Sequence, residues 1–388
     1  MRILLVASAT QTSKTGVTAH YNRLLAHLSG RVDDVQLITP ADTPVAAKKV
    51  LGAFRRVAAL FGPNGQVLYL ELENFLSIWF SIRWKGAHSF DFVHAQDVTA
   101  GAAAALALSR KDRVAVTCHF NDDPLTEYRD QYTINDWTHR QLARWYRFLF
   151  RQLGSFITVS DYTKRASAFL RPKQAACTVI HNGVTFGQKT DRPDNTLFTI
   201  VNIGTVETRK NQRLLIDAAA ELRNRGFTHF QIWLLGDGPK RTEWQALIRE
   251  KNLEGYVSFL GYQPNPTDFL QRASLYVHTA RNESWGYTIT EAMATGTPVL
   301  ALATGGIPEQ FDAHHRGLLP AQTTASELAD AILRYHSSDA RRQLADQQWE
   351  YARDRFQLDI MIDKHIAFYQ AAIGRQQTSH AQEPLIEA

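Results

Sequence analysis

Two glutamates eight residues apart flank the start of a predicted helix in the second half of the sequence. Glu283 precedes this helix, which we expect to begin near Tyr287, and Glu291 lies about one turn inside it. The backbone N–H groups at the helix start can bind an anion such as a pyrophosphate, and they belong to Trp285, Gly286 and Tyr287. Carboxylates on the rim of such a site would not hold phosphate, so they suit hydroxyl groups beside it.

A second loop with suitable chemistry follows the apolar run at 198–203. It begins with Gly204 and Thr205 and continues to Arg209 and Lys210. Open α/β sheets bind ligands at the carboxyl ends of their strands, which is where this loop would lie. Lys210 can balance the charge of a diphosphate, and Arg209 offers a planar, bidentate contact. An ordinary basic first helical turn is the alternative, which the helix dipole slightly disfavours.

Three further loops at predicted strand ends carry candidate residues. Gly238 lies in a tight Gly-Asp-Gly-Pro turn, where the backbone can approach a flat base or a ribose. His119 and Gly16 follow strands of the first half, and Asp122 and Asp123 come shortly after His119. Without an Asp-x-Asp pattern or clustered histidines, we predict no metal site. No G-x-G-x-x-G fingerprint follows the first strand, which argues against a nicotinamide dehydrogenase.

Short apolar runs alternate with amphipathic segments along the whole chain. In the first half the predicted strands are 2–7, 34–39, 67–71, 91–94, 114–118, 155–159 and 177–181. In the second half they are 198–203, 230–235, 257–260, 274–279 and 298–302. Runs that are apolar on both faces are typical of parallel strands covered by helices. The order predicts an α/β protein with two Rossmann-like, doubly wound parallel sheets that face each other across a cleft.

Composition suggests where these sheets are separated. A polar stretch at 186–196 has no apolar periodicity and is predicted to be a linker. We therefore predict one α/β domain over 1–187 and a second over 188–350. A helical segment over 351–373 follows, and the tail over 374–388 has almost nothing to bury and is predicted to be disordered.

The overall composition excludes several classes of protein. The chain has 388 residues, of which 44% are apolar, with two cysteines and a net charge of +5. Two cysteines exclude a disulfide framework and a Cys-rich zinc site, and they fit a reducing cytoplasm. The apolar N-terminus is predicted to be a buried strand, not a targeting segment. The most apolar later stretch contains Glu71 and Glu73, so no membrane-spanning helix is predicted.

The motifs described above resemble the retaining family 4 glycosyltransferases of the GT-B fold. The family's most specific mark is a pair of glutamates with seven residues between them, followed by a Met-Ala-x-Gly-x-Pro-Val run. Glu283, Glu291 and the segment 293–299 reproduce this mark. Two further family motifs, G-G-x-P-E and Asn-Gly-Val, recur at 305–309 and 182–184. The resemblance covers nearly the whole chain and implies that the last helix crosses back to the first domain.

The resemblance also implies an activity. It is the transfer of a hexosyl group, with retention, from a nucleoside-diphosphate sugar to a hydroxyl acceptor in cell-surface polysaccharide or glycolipid synthesis. The donor is a substrate, so neither a cofactor nor a metal is implied. The second domain would bind the donor and the first the acceptor. By position, Lys210 would stabilise the leaving diphosphate, Glu283 would lie near the reacting carbon, and Glu291 would bind the ribose. His119 would face the sugar, and Gly16 the phosphate and the acceptor.

The sequence departs from the family at Thr205, where relatives usually carry an arginine, and Arg209 is the residue that could supply the missing cation. Two alternatives share the implied fold. A non-catalytic GT-B partner subunit would not need Glu283, Lys210 and Glu291 intact. A GT-B sugar-nucleotide epimerase would share the diphosphate contacts but gives no reason for the paired glutamates.

Basic residues concentrate in the first half of the chain. Residues 1–190 carry a net charge of +9 and residues 191–388 a net charge of −4. One predicted helix places four arginines on a single face, namely Arg140, Arg144, Arg147 and Arg151. The stretch 45–61 also mixes basic and apolar residues. Both stretches suit an anionic membrane surface with a lipid-linked acceptor, at the inner face of the membrane. Solvated helix faces over an ordinary core are an equal alternative. No nucleic-acid-binding motif is found.

Overall fold

In the computed structural model, the structure describes residues 1–13, 15–187 and 197–381. The chain divides into two compact units, Met1–His181 with Met361–Ala388, and Asn182–Ile360. We call them unit 1 and unit 2. The sequence predicts domain boundaries after residues 187 and 350. In the structure the boundaries lie after His181 and Ile360, six residues earlier and ten residues later. Most of the predicted linker, residues 188–196, lies outside the described residues.

Unit 1 is built on a parallel sheet with the strand order β2-β1-β3-β4-β5-β6. Its strands are β1 Arg2–Val6, β2 Asp34–Ile38, β3 Phe92–Ala95, β4 Val114–Cys118, β5 Ser155–Thr158 and β6 Ala176–Val179. The strand β1 lies between β2 and β3, in register from Ile3 opposite Val35 and Phe92. Ile3, Leu4 and Leu5 are fully buried, as expected for a strand covered on both faces.

Helices connect these strands in the described part of unit 1. They are α1 Gly16–Leu28, α2 Val45–Ala59, α3 Gly62–Lys85, α4 Val98–Leu108, α5 Pro124–Gln131, α6 Asp136–Arg151 and α7 Asp161–Ala166. The predicted basic helix corresponds to α6, whose four arginines are all exposed. The stretch 45–61 corresponds to α2.

The strand predicted at 67–71 is wrong, because these residues lie within the 24-residue helix α3. A short apolar run fits a buried strand and a buried helix equally well. The flanking residues decide between the two. Pro63 lies in the first turn of the helix, and Gly86 ends it in a left-handed conformation, with φ of 64°.

Unit 2 has a second parallel sheet, in the order β12-β11-β10-β7-β8-β9. The strands are β7 Phe198–Ile203, β8 Phe230–Leu235, β9 Val257–Gly261, β10 Leu275–His278, β11 Val299–Leu302 and β12 Leu318–Leu319. The helices are α8 Gln212–Asn224, α9 Arg241–Glu250, α10 Pro266–Arg272, α11 Tyr287–Ala294, α12 Ala325–Arg334 and α13 Ser338–Phe356. The sequence did not predict β12, which is only two residues long.

The last helix, α14, covers Leu358–Ala381. The prediction joins residues 351–373 to the first domain, but Tyr351 and Phe356 pack within unit 2, and the segment of unit 1 begins at Met361. The backbone break at Gln357, with φ of −57° and ψ of 140°, separates α13 from α14 and explains the shift. The disorder predicted from 374 is wrong as far as Ala381, because the helix continues to that residue. The predicted tail at 382–388 lies outside the described residues.

The two parallel sheets with their connecting helices confirm the predicted α/β class and its Rossmann-like topology. In both units the β-to-α connections leave from the carboxyl ends of parallel strands, which is where the candidate residues of the sequence lie. Among the described residues, no helix has the length and apolar composition needed to cross a membrane.

Candidate active site

A buried carboxylate joins the two cations of the loop after β7. Glu283 lies before α11, and its side chain is 6% exposed. Its Oε1 accepts a hydrogen bond from Nζ of Lys210. Its Oε2 lies 3.1 Å from Nη1 of Arg209, whose Nη2 lies 2.7 Å from Oε1 of Glu207. We call Glu283, Lys210 and Arg209 the charge cluster.

The charge cluster keeps Glu283 ionised. Burial alone would raise the pKa of this carboxyl, but Lys210, His278 and Arg209 together hold its pKa well below the usual range. A buried carboxylate is tolerated only with partners of this kind. At neutral pH the site therefore presents a fixed pair of acceptor oxygens beside two cations. Such a site can bind sugar hydroxyl groups on the carboxylate and phosphate oxygens on the cations.

His278 extends the charge cluster into the core of unit 2. It is the last residue of β10, and its Nε2 lies 3.6 Å from Oε1 of Glu283. Its Nδ1 lies 2.8 Å from the hydroxyl of Tyr276, which donates a hydrogen bond of 2.7 Å to Oγ1 of Thr288. Burial lowers the pKa of His278. Burial also raises the pKa of Tyr276, and the charges of Glu283 and Glu291 add to this effect. Glu283 therefore lies against a buried histidine–tyrosine pair in the core of unit 2.

Backbone contacts fix the loops that carry the charge cluster. The Thr279 hydroxyl donates to the carbonyl of Lys210 at 2.9 Å, and the amide of Arg281 donates to the carbonyl of Arg209 at 2.8 Å. The amide of Gly306 donates to the carbonyl of Glu283 at 2.8 Å. A Cβ at Gly305 would lie 2.1 Å from that same carbonyl oxygen, so the G-G-x-P-E motif holds the backbone of Glu283 by close approach.

The structure brings three predicted backbone positions to the same end of the sheet. Gly204 directly follows β7, and a Cβ there would lie 3.3 Å from Cε of Lys210. Thr205 accepts a hydrogen bond of 2.9 Å at its carbonyl from Nε2 of Gln212. A Cβ at Gly238 would lie 2.4 Å from the carbonyl oxygen of Val206, so the Gly-Asp-Gly-Pro turn packs against the loop of Lys210.

The residues predicted around the start of α11 differ in what they can contribute. Gly286 is the residue before the helix, with φ of 84°, a conformation that favours glycine. Tyr287 is the first helical residue. The Trp285 side chain is buried edge-on against Phe356, with ring centroids 5.0 Å apart. It therefore packs in the core and leaves only its backbone to a ligand. Glu291 is half-buried on α11.

The remaining predicted site residues, His119 and Gly16, belong to unit 1. Gly16 begins α1, and one turn later His20 packs against His119 with ring centroids 4.8 Å apart. Two further rings complete the group. We call it the histidine cluster. Its members are the fully buried His20, His94 and His365 and the half-buried His119. Burial, reinforced by His365, lowers the pKa of His119 to about 3.

Within the described residues, no group of three or more His, Cys, Asp or Glu side chains is placed to hold a metal ion. The carboxylate of Asp123 instead caps α5, accepting hydrogen bonds of 2.9 and 3.2 Å from the amides of Leu125 and Thr126.

The sequence analysis missed His278 and Tyr276, which support Glu283. A signal for them exists. In the buried strand Leu-Tyr-Val-His, the two polar residues are two positions apart and so lie on the same face of the sheet. Polar groups on a buried strand need partners, and the last position of a parallel strand is where ligands bind.

Two family profiles of glycosyltransferases match this chain. The profile described as "Glycosyl transferases group 1" matches residues 187–355, and the profile described as "Glycosyltransferase Family 4" matches residues 14–187. The two matches together span most of the chain and include every residue of the charge cluster.

Curated relatives match shorter segments. An N-acetyl-alpha-D-glucosaminyl L-malate synthase from Bacillus anthracis is 28% identical over 140 residues, 36% of this chain and 37% of that protein. The lipopolysaccharide core biosynthesis glycosyltransferase LpsE of Rhizobium meliloti is 28% identical over 169 residues, 43% of this chain and 48% of that protein. The matched segments thus span less than half the length of these relatives.

A solved structure matches the whole chain. The crystal structure of Anabaena Alr3699/HepE in complex with UDP and glucose has a TM-score of 0.71 at 18% identity, covering 96% of this chain and 100% of that one. At this identity the likeness establishes the fold.

Proposed function

Because the chain belongs to the family 4 glycosyltransferases of the GT-B fold, we propose that it transfers a hexosyl group from a nucleoside-diphosphate sugar to a hydroxyl acceptor with retention. One observation carries this proposal. The buried carboxylate of Glu283 is held ionised by Lys210 and Arg209 at the carboxyl ends of β7 and β10. This pairing offers an acceptor for sugar hydroxyls next to cations for a diphosphate.

In the proposed mechanism, cations oppose the charge that develops on the departing nucleoside diphosphate. Lys210 and Arg209 are already oriented by Glu283, so little reorganisation is needed as the bond to the sugar breaks. The acceptor hydroxyl attacks the anomeric carbon of the sugar from the same face from which the nucleoside diphosphate departs. The proton of that hydroxyl passes to the leaving phosphate oxygen. Glu283 holds the donor sugar and Glu291 the ribose. No metal ion and no cofactor is required.

Donor binding would also involve the backbone at three positions, Gly204, Thr205 and Gly238. The tight packing of the Gly238 turn against Val206 leaves backbone, not side chain, next to the Lys210 loop. The start of α11 at Gly286 and Tyr287 faces the anion with its backbone. In unit 1, His119 contacts the donor sugar, and the start of α1 at Gly16 contributes to binding phosphate and acceptor.

The acceptor is proposed to be a glycan or a lipid-linked sugar. The relatives support this class, because one of them is a lipopolysaccharide core biosynthesis glycosyltransferase. The protein would then act in polysaccharide or glycolipid synthesis, in the cytoplasm and peripherally at the inner face of the membrane. The exposed arginines of α6 and the basic residues of α2 favour an anionic surface. Sedimentation with anionic vesicles at low salt tests this point, and no binding would refute it.

Donor hydrolysis tests the proposed chemistry without knowledge of the acceptor. A panel of UDP- and GDP-linked hexoses is incubated with the protein, and release of the nucleoside diphosphate is measured in EDTA. We expect release from at least one donor, and we expect Glu283→Ala and Lys210→Ala to abolish it with unchanged circular dichroism. The exposed ion pair of Lys240 and Glu243 supplies matched controls, Lys240→Ala and Glu243→Ala. Full turnover in Glu283→Ala would contradict the assignment.

NMR of the released or transferred sugar then tests retention. An α-linked donor should give an α-anomer as the first product, before mutarotation. An inverted first product would exclude the same-face mechanism while leaving donor use intact.

A further inference from the structure

The helices α2 and α3 of unit 1 expose large apolar side chains that the proposed glycosyl transfer does not use. Phe54 on α2 is 60% exposed and Trp84 on α3 is 77% exposed. Single exposed apolar residues are common, but a contiguous group marks a binding surface. The group here is contiguous, since Val50, Phe54, Phe80 and Trp84 line one groove.

This groove lies between α2 and α3 and has a volume of about 590 Å³. That size falls in the range of roughly 300–1,000 Å³ found for small-molecule sites. Its walls are almost wholly apolar, with Ala47, Val50 and Phe54 on α2 facing Leu76, Phe80 and Trp84 on α3. Arg83 is the charged residue in its lining. We call it the α2–α3 groove.

Close packing beside the groove fixes its two walls. A Cβ at Gly65 would lie 2.5 Å from the carbonyl oxygen of Ala58, so the helices approach closely at their turn only because residue 65 is glycine. The hydroxyl of Tyr69 donates a hydrogen bond to the carbonyl of Leu51. The guanidinium of Arg55 binds Glu73 through two hydrogen bonds. The groove is therefore a built feature and not the gap between two loosely packed helices.

The carboxylates of α3 are turned away from the solvent. Glu71 is buried and accepts hydrogen bonds from Thr99 and Tyr128, and Glu73 is buried and paired with Arg55. Neither helix carries another acidic residue. The exposed charge of α2 and α3 is therefore positive, and it comes from Lys48, Lys49, Arg56 and Arg83. Lys85 is paired with Asp42 at 2.8 Å.

An apolar groove that has Arg83 as the charged residue of its lining, between helices whose exposed charge is positive, is complementary to a lipid with an anionic head group. We propose that the α2–α3 groove binds one hydrocarbon chain of an anionic lipid in a membrane leaflet, with Arg83 at the level of the head-group phosphate. The apolar groove wall suits the chain, and the cations suit the phosphate. This proposal deepens, and rests on, the membrane partner proposed above. It assigns the contact to α2 and α3 and not to the arginine face of α6.

Two exposed tryptophans give a matched test. Trp84 lines the groove, whereas Trp137 lies on α6 and is 57% exposed. Sedimentation with phosphatidylglycerol vesicles is compared for the full-length wild type, Trp84→Ala and Trp137→Ala. We expect Trp84→Ala to weaken partitioning by about tenfold, as loss of a buried indole would, and Trp137→Ala to leave it unchanged. Equal effects of the two variants, or none in Trp84→Ala, would overturn the proposal.

Depth of insertion is tested with vesicles whose acyl chains carry bromine. Bromine should quench the wild-type fluorescence and should quench Trp84→Phe much less, while Trp137→Phe behaves as wild type. Partitioning should fall as salt is raised, because exposed cations are screened. Binding to purely zwitterionic vesicles with equal strength would contradict the role given to the cations.

A second copy of the chain is the competing occupant of the groove. Sedimentation velocity from low to high protein concentration detects it. A dimer that forms without vesicles and is lost in Phe54→Ser would overturn the lipid assignment, and a monomer at all concentrations is expected. Donor hydrolysis in vesicle-free buffer separates this proposal from the enzymatic one. Hydrolysis without vesicle binding refutes the lipid site and the membrane partner but leaves the proposed activity intact. Vesicle binding without hydrolysis refutes the proposed activity alone.

Discussion

The charge cluster of unit 2 and the histidine cluster of unit 1 respond to burial in opposite ways. In unit 2, Glu283 is buried but stays charged, because Lys210 and Arg209 supply positive charge at hydrogen-bonding distance. In unit 1, the histidine cluster is buried and stays neutral. Burial lowers the pKa of His365 to about 4, and it lowers the pKa of His94 well below the usual range.

This difference shows when a perturbed pKa indicates a site. A shift that comes mainly from burial is what any core position produces, whereas a shift produced by specific charged partners needs an arrangement that stability alone does not favour. Replacing a buried ion pair with apolar residues is often neutral or stabilising. The charge cluster is therefore expected to serve function, whereas the members of the histidine cluster other than His119 are expected to serve packing.

The largest effect should follow from breaking the charge cluster. Lys210→Met leaves Glu283 with one cation, so we expect donor hydrolysis to fall by about 10²–10³-fold and stability by about 3 kcal/mol. Urea unfolding and nucleoside diphosphate release measure the two effects. The double variant Lys210→Met with Glu283→Gln removes both charges, and it should regain most of the stability without activity. Equal destabilisation in the single and double variants would contradict this reading.

Acid should weaken unit 1 before unit 2. In the unfolded chain a histidine titrates near pH 6.5, whereas His365 has a folded pKa of about 4. The stability that comes from neutral His365 is complete above pH 6.5 and declines as the pH falls towards 4, by about 3 kcal/mol in all. The contribution of Glu283 changes in the same direction but at lower pH. It is present above the carboxyl's ordinary pKa of about 4.3 and is lost only below it.

Hydrogen exchange read peptide by peptide at pH 7 and pH 5, corrected for intrinsic rates, measures this difference. Peptides of unit 1 should lose protection first, and His365→Gln should reduce the change. Earlier loss of protection in the peptides of β7 and β10 would contradict the prediction that acid weakens unit 1 before unit 2.

A smaller effect should distinguish two similar histidine–tyrosine pairs. His278 lies 2.8 Å from the Tyr276 hydroxyl in unit 2, and His94 lies 2.7 Å from the Tyr369 hydroxyl in unit 1. We expect His278→Phe to lower kcat by about tenfold at nearly constant KM, because it removes a positioning contact of Glu283. His94→Phe should lower stability and leave kcat unchanged. A fall in kcat of equal size in both variants would argue against the special role of His278.

The smallest effect concerns Arg209, which Glu207 partly neutralises. Glu207→Gln should release the guanidinium for phosphate and tighten nucleoside diphosphate binding by about two- to threefold, as expected for a half-exposed ion pair. Calorimetry with UDP and GDP measures it. Asp217→Asn, which breaks an ion pair on α8, serves as the control and should change nothing. Weaker binding in Glu207→Gln would mean that Glu207 orients Arg209 instead of competing for it.

Much of the fold could be predicted because parallel strands leave a strong pattern. Runs such as Phe198–Ile203 are apolar on both faces and bounded by polar loops, and the structure has strands there. The error at 67–71 arose where composition fits two structures and the distant caps at Pro63 and Gly86 decide between them. The sequence predicted disorder from residue 374, whereas α14 ends at Ala381. The apolar content of a segment indicates which residues are buried, but it does not indicate how far a helix extends.

The site was predictable where motif and position coincide. Glu283, Lys210 and Arg209 each follow a strand, and the fold brings their side chains into contact. His278 escaped detection because its role depends on a neighbour 3.6 Å away in space and not on a spacing in sequence. The α2–α3 groove escaped for a related reason. The direction in which Glu71 and Glu73 point decides its charge, and side-chain direction is a property of packing.

The position of α14 at the end of the sequence affects the order in which the two units can fold during synthesis. The last strand of the unit 1 sheet is finished at Val179, but Tyr369, which contacts His94 and Phe92 in its core, follows about 190 residues later. Unit 2 is contiguous from Asn182 to Ile360. During synthesis, therefore, the unit made first is completed last. The apolar surface that α14 covers in unit 1 stays open while unit 2 is synthesised, and exposed surface of this kind makes an incomplete unit prone to aggregation.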